Sequence, residues 1–116
     1  MNAMKTLCIF LILLPCIANA EVTLKMYKEM KNEQFILSYV WGLTKGMVYV
    51  ATINESKGGN VLFCPPDEYV FTGNNAIKLL DQEISGPLKI QKYSDDTPIE
   101  LIYLYALEKK FPCNSK

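Results

Sequence analysis

The chain has 116 residues, the size of one modest domain, with 12 Lys, no Arg, 12 Asp plus Glu and no His, so its formal charge is zero. Lack of His removes Ser-His and Cys-His catalytic pairs and any imidazole metal site. Lack of Arg removes the bidentate clamp for phosphate or carboxylate. Balanced charge argues against a nucleic-acid partner, because neutralising a phosphate backbone takes an excess of cations.

The N-terminus reads as a secretory signal. Lys5 supplies a positive region, residues 7–18 form an apolar run of 12, and Ala18-Asn19-Ala20 is an A-x-A cleavage site. Twelve residues fall short of the about 20 that span a bilayer, so a retained membrane anchor is disfavoured. Cys16 raises a lipoprotein reading, but Pro15 is a poor residue before a lipidated Cys. Cleavage after Ala20 divides the chain into a signal, 1–20, and a domain, 21–116. The exported part then has 96 residues, 11 Lys and 12 carboxylates, and no membrane attachment is expected of it. Cys8 and Cys16 leave with the signal. Cys64 and Cys113 remain, and two Cys in an exported chain most simply form one disulfide; a reactive or metal-binding thiol pair is the alternative.

In chain order, residues 22–30 predict a short helix, with Leu24, Tyr27 and Lys28 at i, i+3, i+4. Residues 34–54 predict the longest helix. One stripe runs Ile36, Val40, Leu43, Met47, Val50 and a second Phe35, Tyr39, Gly42, Gly46, Tyr49, Ile53. Two apolar stripes predict a central helix buried on most sides, and Gly42 and Gly46, four apart, predict close packing of another helix there. Residues 55–60 are a polar, glycine-rich loop. Thr72 is a candidate N-cap for a helix with Ala76, Ile77, Leu80 and Ile84 on its apolar face, stopped by Ser85-Gly86-Pro87. Residues 88–93 alternate in polarity without an evident partner strand and are read as irregular. Thr97, Pro98 and Glu100 predict a capping box opening a last helix to about Lys110. The fold class is all-α: a compact four-helix domain with one disulfide.

Chemistry is scarce. Asp67-Glu68 and Asp95-Asp96 lie in turns and read as solvated charge, Ser38 has no base partner, and Gly58-Gly59-Asn60 lacks a P-loop pattern. The chain is expected not to be an enzyme and to need no cofactor or metal.

Taken in order, several short motifs carry a resemblance: Ser38-Tyr39-Val40-Trp41-Gly42-Leu43 on a helix, Phe63-Cys64-Pro65-Pro66 after a loop, Gly73-Asn74 opening the next helix, and a terminal Phe111-Pro112-Cys113. Together with the signal, this order resembles the Rap/Tai family of type VI secretion immunity proteins. The resemblance implies a small all-helical periplasmic protein, often a homodimer. Such a protein occludes the cleft of a cognate peptidoglycan amidase, a Cys-His peptidase delivered by neighbouring bacteria. It matches Cys64 and Cys113 to the family's disulfide positions and Gly42 to the glycine of the central helix, while Asn74 stands where Gln is common. A second Cys pair found in many members is absent from residues 27–36. The candidate inhibitory loop is Lys92, Tyr93, Ser94, Asp95 and Asp96, preferred over residues 55–60 for its acidic and aromatic content. A different class, a periplasmic acid-stress chaperone, is the alternative, because protonating 12 carboxylates would leave 11 Lys to repel one another.

Overall fold

A computed structural model describes residues 21–86 and 92–114. The signal expected at residues 1–20 and most of the alternating segment, 88–91, lie outside the described residues. Among the described residues there are four helices: α1 (Leu24–Met30), α2 (Gln34–Ser56), α3 (Gly73–Ser85) and α4 (Ile99–Lys110). Among the described residues the only β pairing is an isolated antiparallel bridge between Thr23 and Pro98.

Helix α1 starts at Leu24 rather than at residue 22, because the Thr23 hydroxyl caps it by accepting from Met26 N. Val22 stays extended and buried, and its carbonyl accepts from Ile99 N, which satisfies a donor at the start of α4. Thr72 caps α3 as expected, accepting from Asn75 N. The capping box at Thr97 does not form. Pro98 is the N-cap of α4, without a side-chain cap bond, and the Thr97 hydroxyl instead pairs with Ser94 Oγ at 3.0 Å. Glu100 turns away toward α2, where its carboxylate accepts from the Tyr39 hydroxyl. A tertiary partner thus displaces the local one.

The core joins Val22, Leu24 and Tyr27 to Ile36 and Val40 of α2, Ala76 and Leu80 of α3, and Ile99, Ile102, Tyr103 and Leu107 of α4. Helix α3 packs against both α2 and α4. Two polar bonds cross this core. Thr44, fully buried, donates to Val40 O at 2.8 Å and is hydrogen-bonded at 2.9 Å to the equally buried Tyr103 hydroxyl. Tyr27 donates to Asp81 Oδ1 at 2.8 Å; burial, reinforced by the Asp81 acceptor and its charge, raises the phenol well above its usual range.

Phe111 anchors the C-terminal end. It packs edge-on against Tyr69 at 4.6 Å and Phe71 at 5.9 Å, and its carbonyl accepts from Cys64 N. Beside it Cys64 and Cys113 form the disulfide, with Cα atoms 4.9 Å apart and 49 positions between them in the chain.

Helix α2 departs most from expectation. It runs two residues beyond Asn54, to Ser56, and ends in a turn where Gly58 adopts φ 71°, a conformation glycine takes without strain. It is not buried on most sides. Ile36, Val40 and Thr44 alone are fully buried, whereas Phe35, Tyr49, Val50 and Ile53 are at least half exposed. Among the described residues no helix packs on Gly42 or Gly46: a Cβ built on either meets nothing within 4 Å. Periodicity groups these residues on one face, but among the described residues no element covers a second face of this 23-residue helix.

Candidate binding surfaces

The candidate loop, residues 92–96, is fastened at both ends. On one side its backbone serves as the cap of α1. Leu24 N donates to Thr97 O at 2.8 Å and Lys25 N to Asp95 O at 2.9 Å, so two N–H groups that a helix start leaves without intrahelical partners are satisfied by the loop. Lys28 adds an ion pair to Asp95 at 3.2 Å, and Thr97 N closes the turn onto Ser94 O at 3.0 Å.

On the other side the anchor is Glu83. This α3 carboxylate is buried, with its side chain only 5% exposed. Its Oε1 accepts from the Tyr93 hydroxyl at 2.7 Å and from Lys92 Nζ at 3.4 Å; its Oε2 accepts from Lys109 Nζ at 3.4 Å. Burial alone would push the Glu83 carboxyl up. The Tyr93 bond, the Lys109 charge and the two lysine bonds outweigh it and hold the group below the usual carboxylate range. Burial, reinforced by the same contact, raises the Tyr93 phenol above its ordinary value. Glu83 is therefore a charged, fully engaged group, an anchor rather than a proton donor at neutral pH.

The five loop residues thus divide. Lys92 and Tyr93 face Glu83, with Tyr93 half-buried against the core. Ser94, Asp95 and Asp96 are exposed and form the presented acidic turn. The aromatic ring expected to help recognise a partner is tied to Glu83 through its hydroxyl. Sequence reasoning did not single out Glu83, although it lies three residues after Leu80 and seven after Ala76, on the buried face of α3.

The second candidate loop, residues 55–60, is exposed throughout. Lys57, Gly58 and Gly59 donate back to the end of α2, on Ile53, Asn54 and Glu55 carbonyls. Next to it lies an apolar groove of about 400 Å³, bounded by Leu43, Gly46 and Val50 of α2, by Leu62 and Phe63, and by Leu104 of α4. Gly46 thus borders an open groove. Among the described residues, no three His, Cys, Asp or Glu side chains are grouped so as to hold a metal ion.

Comparison with protein-family models, curated protein sequences and solved structures finds no match to this chain. The four-helix, single-disulfide fold and the two surfaces described above are the observations from which function is argued.

Proposed function

We propose that the chain is an exported, non-enzymatic immunity protein of the Rap/Tai kind. In this reading it is periplasmic and blocks a cognate type VI peptidoglycan amidase by seating the turn Ser94–Asp96 in the enzyme's cleft. The observation that carries the reading is the double fastening of that turn, to the start of α1 and to the buried Glu83. A loop held in one conformation before binding loses little freedom on docking, which is what a stoichiometric active-site plug requires. The ordered motifs and the Cys64–Cys113 disulfide support the same assignment. A Cys-His amidase suits an acidic plug, since a protonated His in its cleft attracts a carboxylate such as Asp95 or Asp96. The test is titration of the protein into its proposed cognate amidase, with peptidoglycan cleavage as readout. Cleavage falling to zero at one equivalent supports the reading, and undiminished cleavage contradicts it.

An acid-stress chaperone is the second reading. It draws on Glu83, whose ionised form holds the loop, and on the exposed apolar face of α2, which would hold unfolded clients. Suppression of client aggregation at about pH 2–3, below the carboxylate range, together with an intact amidase activity in the titration, would favour it.

A further inference from the structure

Gly46 is a glycine that its backbone does not require. Among the described residues the positive-φ glycines are Gly58 and Gly86, so Gly46 keeps an ordinary helical conformation inside α2, where Ala or Leu would favour the helix more. No packed neighbour requires it either, since a Cβ at this position meets nothing within 4 Å. What Gly46 does is leave room. It borders the apolar groove of about 400 Å³, a volume within the roughly 300–1,000 Å³ of small-molecule sites. Leu43, Gly46, Met47, Val50, Ala51 and Asn54 form the helical wall, at i, i+3, i+4, i+7, i+8 and i+11. The groove therefore follows one face of α2 for about 16 Å, at about 1.5 Å per residue. Residues 61–63 and Leu104 form the facing wall. We propose that this groove binds one alkyl chain with a hydrogen-bonding head, the chemistry of a free medium-chain fatty acid, with the chain along α2 and the head at Asn54 and Asn60.

The lining selects this occupant. No charged side chain borders the groove, and its walls are mostly aliphatic, which suits a hydrocarbon. Val50 and Leu62, 58% and 60% exposed, hold apolar surface in water that a bound chain would cover. The polar residues are Asn54 and Asn60, and they stand together, because Gly59 N donates to Asn54 O at 2.8 Å at the C-terminal end of α2. Their side-chain amides can donate to a carboxylate head, and no carboxylate on the groove repels it. A peptide strand suits the groove less well, since it would bring backbone N–H and C=O groups into a site with two side-chain amides to meet them. The source is a free amphiphile rather than a bilayer. Although α2 is long and apolar enough to cross a membrane, inserting it would strip Ile36, Val40 and Thr44 from the core they share with Tyr103. The site stands independently of the amidase reading, and the turn Ser94–Asp96 takes no part in it.

The test is calorimetric titration of the protein, expressed from the full sequence, with sodium hexanoate, octanoate, decanoate, dodecanoate and hexadecanoate below their micelle concentrations. Affinity should rise about threefold per added methylene. It should level off near twelve carbons, about the number that spans 16 Å at about 1.3 Å per carbon in an extended chain with C–C bonds of about 1.5 Å. Gly46→Leu should weaken dodecanoate binding at least about thirtyfold, because the new side chain fills the groove, and should raise the thermal midpoint by circular dichroism, because Leu is the better helix former and the space is open. Gly42→Leu, on the same stripe but not bordering the groove, should bind dodecanoate as the parent does. Leu62→Asp, at an exposed position, should keep the fold and weaken binding at least about tenfold. One dodecanoate per chain with that length dependence supports the proposal. No binding at any chain length, affinity that ignores chain length, or equal losses in Gly42→Leu and Gly46→Leu overturns it. So does binding confined to phosphatidylglycerol vesicles, or a ligand-free mass of two chains by light scattering that Gly46→Leu returns to one, since a bilayer lipid or a second copy would then occupy the groove.

Discussion

Replacing Glu83 by Ala should release the 92–96 turn without unfolding the helices. The Tyr93 hydroxyl donates to this buried carboxylate at 2.7 Å, and a hydrogen bond to a charged group is worth about 1.5–3 kcal/mol. Lys92 and Lys109 contribute less, because both are about two-thirds exposed and their pairs are screened by solvent. The expected cost is about 2 kcal/mol for Glu83→Ala, and about 1 kcal/mol for Glu83→Gln, which keeps an acceptor for Tyr93. Hydrogen exchange reads the effect directly, since the Leu24 and Lys25 amides donate to Thr97 and Asp95 carbonyls of the turn. A loss of 2 kcal/mol corresponds to exchange about thirtyfold faster at those two amides, while the amides within α3 and α4 change less. Unchanged exchange at Leu24 and Lys25 in the Glu83→Ala protein would refute the claim that Glu83 holds the turn.

Three further outcomes are expected. Reducing the Cys64–Cys113 bridge should cost about 4 kcal/mol through a loop of 49 positions, as a shift in urea midpoint with and without reductant; an unshifted midpoint would mean the bridge constrains nothing. Thr44→Val should cost about 1–3 kcal/mol by leaving the buried Tyr103 hydroxyl without its partner, and adding Tyr103→Phe should recover most of that loss, so a double-mutant cycle showing simple additivity would contradict the pairing. Because the folded Glu83 carboxyl lies below its ordinary value of 4.5, its stabilising contribution is complete above that pH and is lost as pH falls through the lowered value. Urea midpoints measured down the acid range should therefore fall less steeply for Glu83→Gln than for the parent protein.

Much of the fold is legible in the sequence because it is written in local signals. Thr72 before an apolar face at 76, 80 and 84 places α3, the sequence Ser85-Gly86-Pro87 signals its end, and Cys64 and Cys113 are the two Cys left once the expected signal is set aside. Tertiary choices are less legible. Thr97, Pro98 and Glu100 have the form of a capping box, yet Glu100 is drawn to Tyr39 across the interface with α2 and Thr97 gives its carbonyl to Leu24. Periodicity groups the stripes on α2, but it says which residues share a face and not what covers it. Tyr93 in the candidate loop has the composition of a contact residue and the geometry of an anchor. Only its bond to Glu83, a carboxylate on the buried face of α3, distinguishes the two.

The most direct measurement of the central claim is hydrogen exchange on the protein alone and mixed with a type VI peptidoglycan amidase of the kind proposed as its partner. The account predicts that protection rises over residues 94–97 on binding and that Asp95→Asn with Asp96→Asn weakens inhibition while leaving the urea midpoint within about 1 kcal/mol of the parent. Full inhibition with no added protection at that turn, or retained by the double variant, would contradict it.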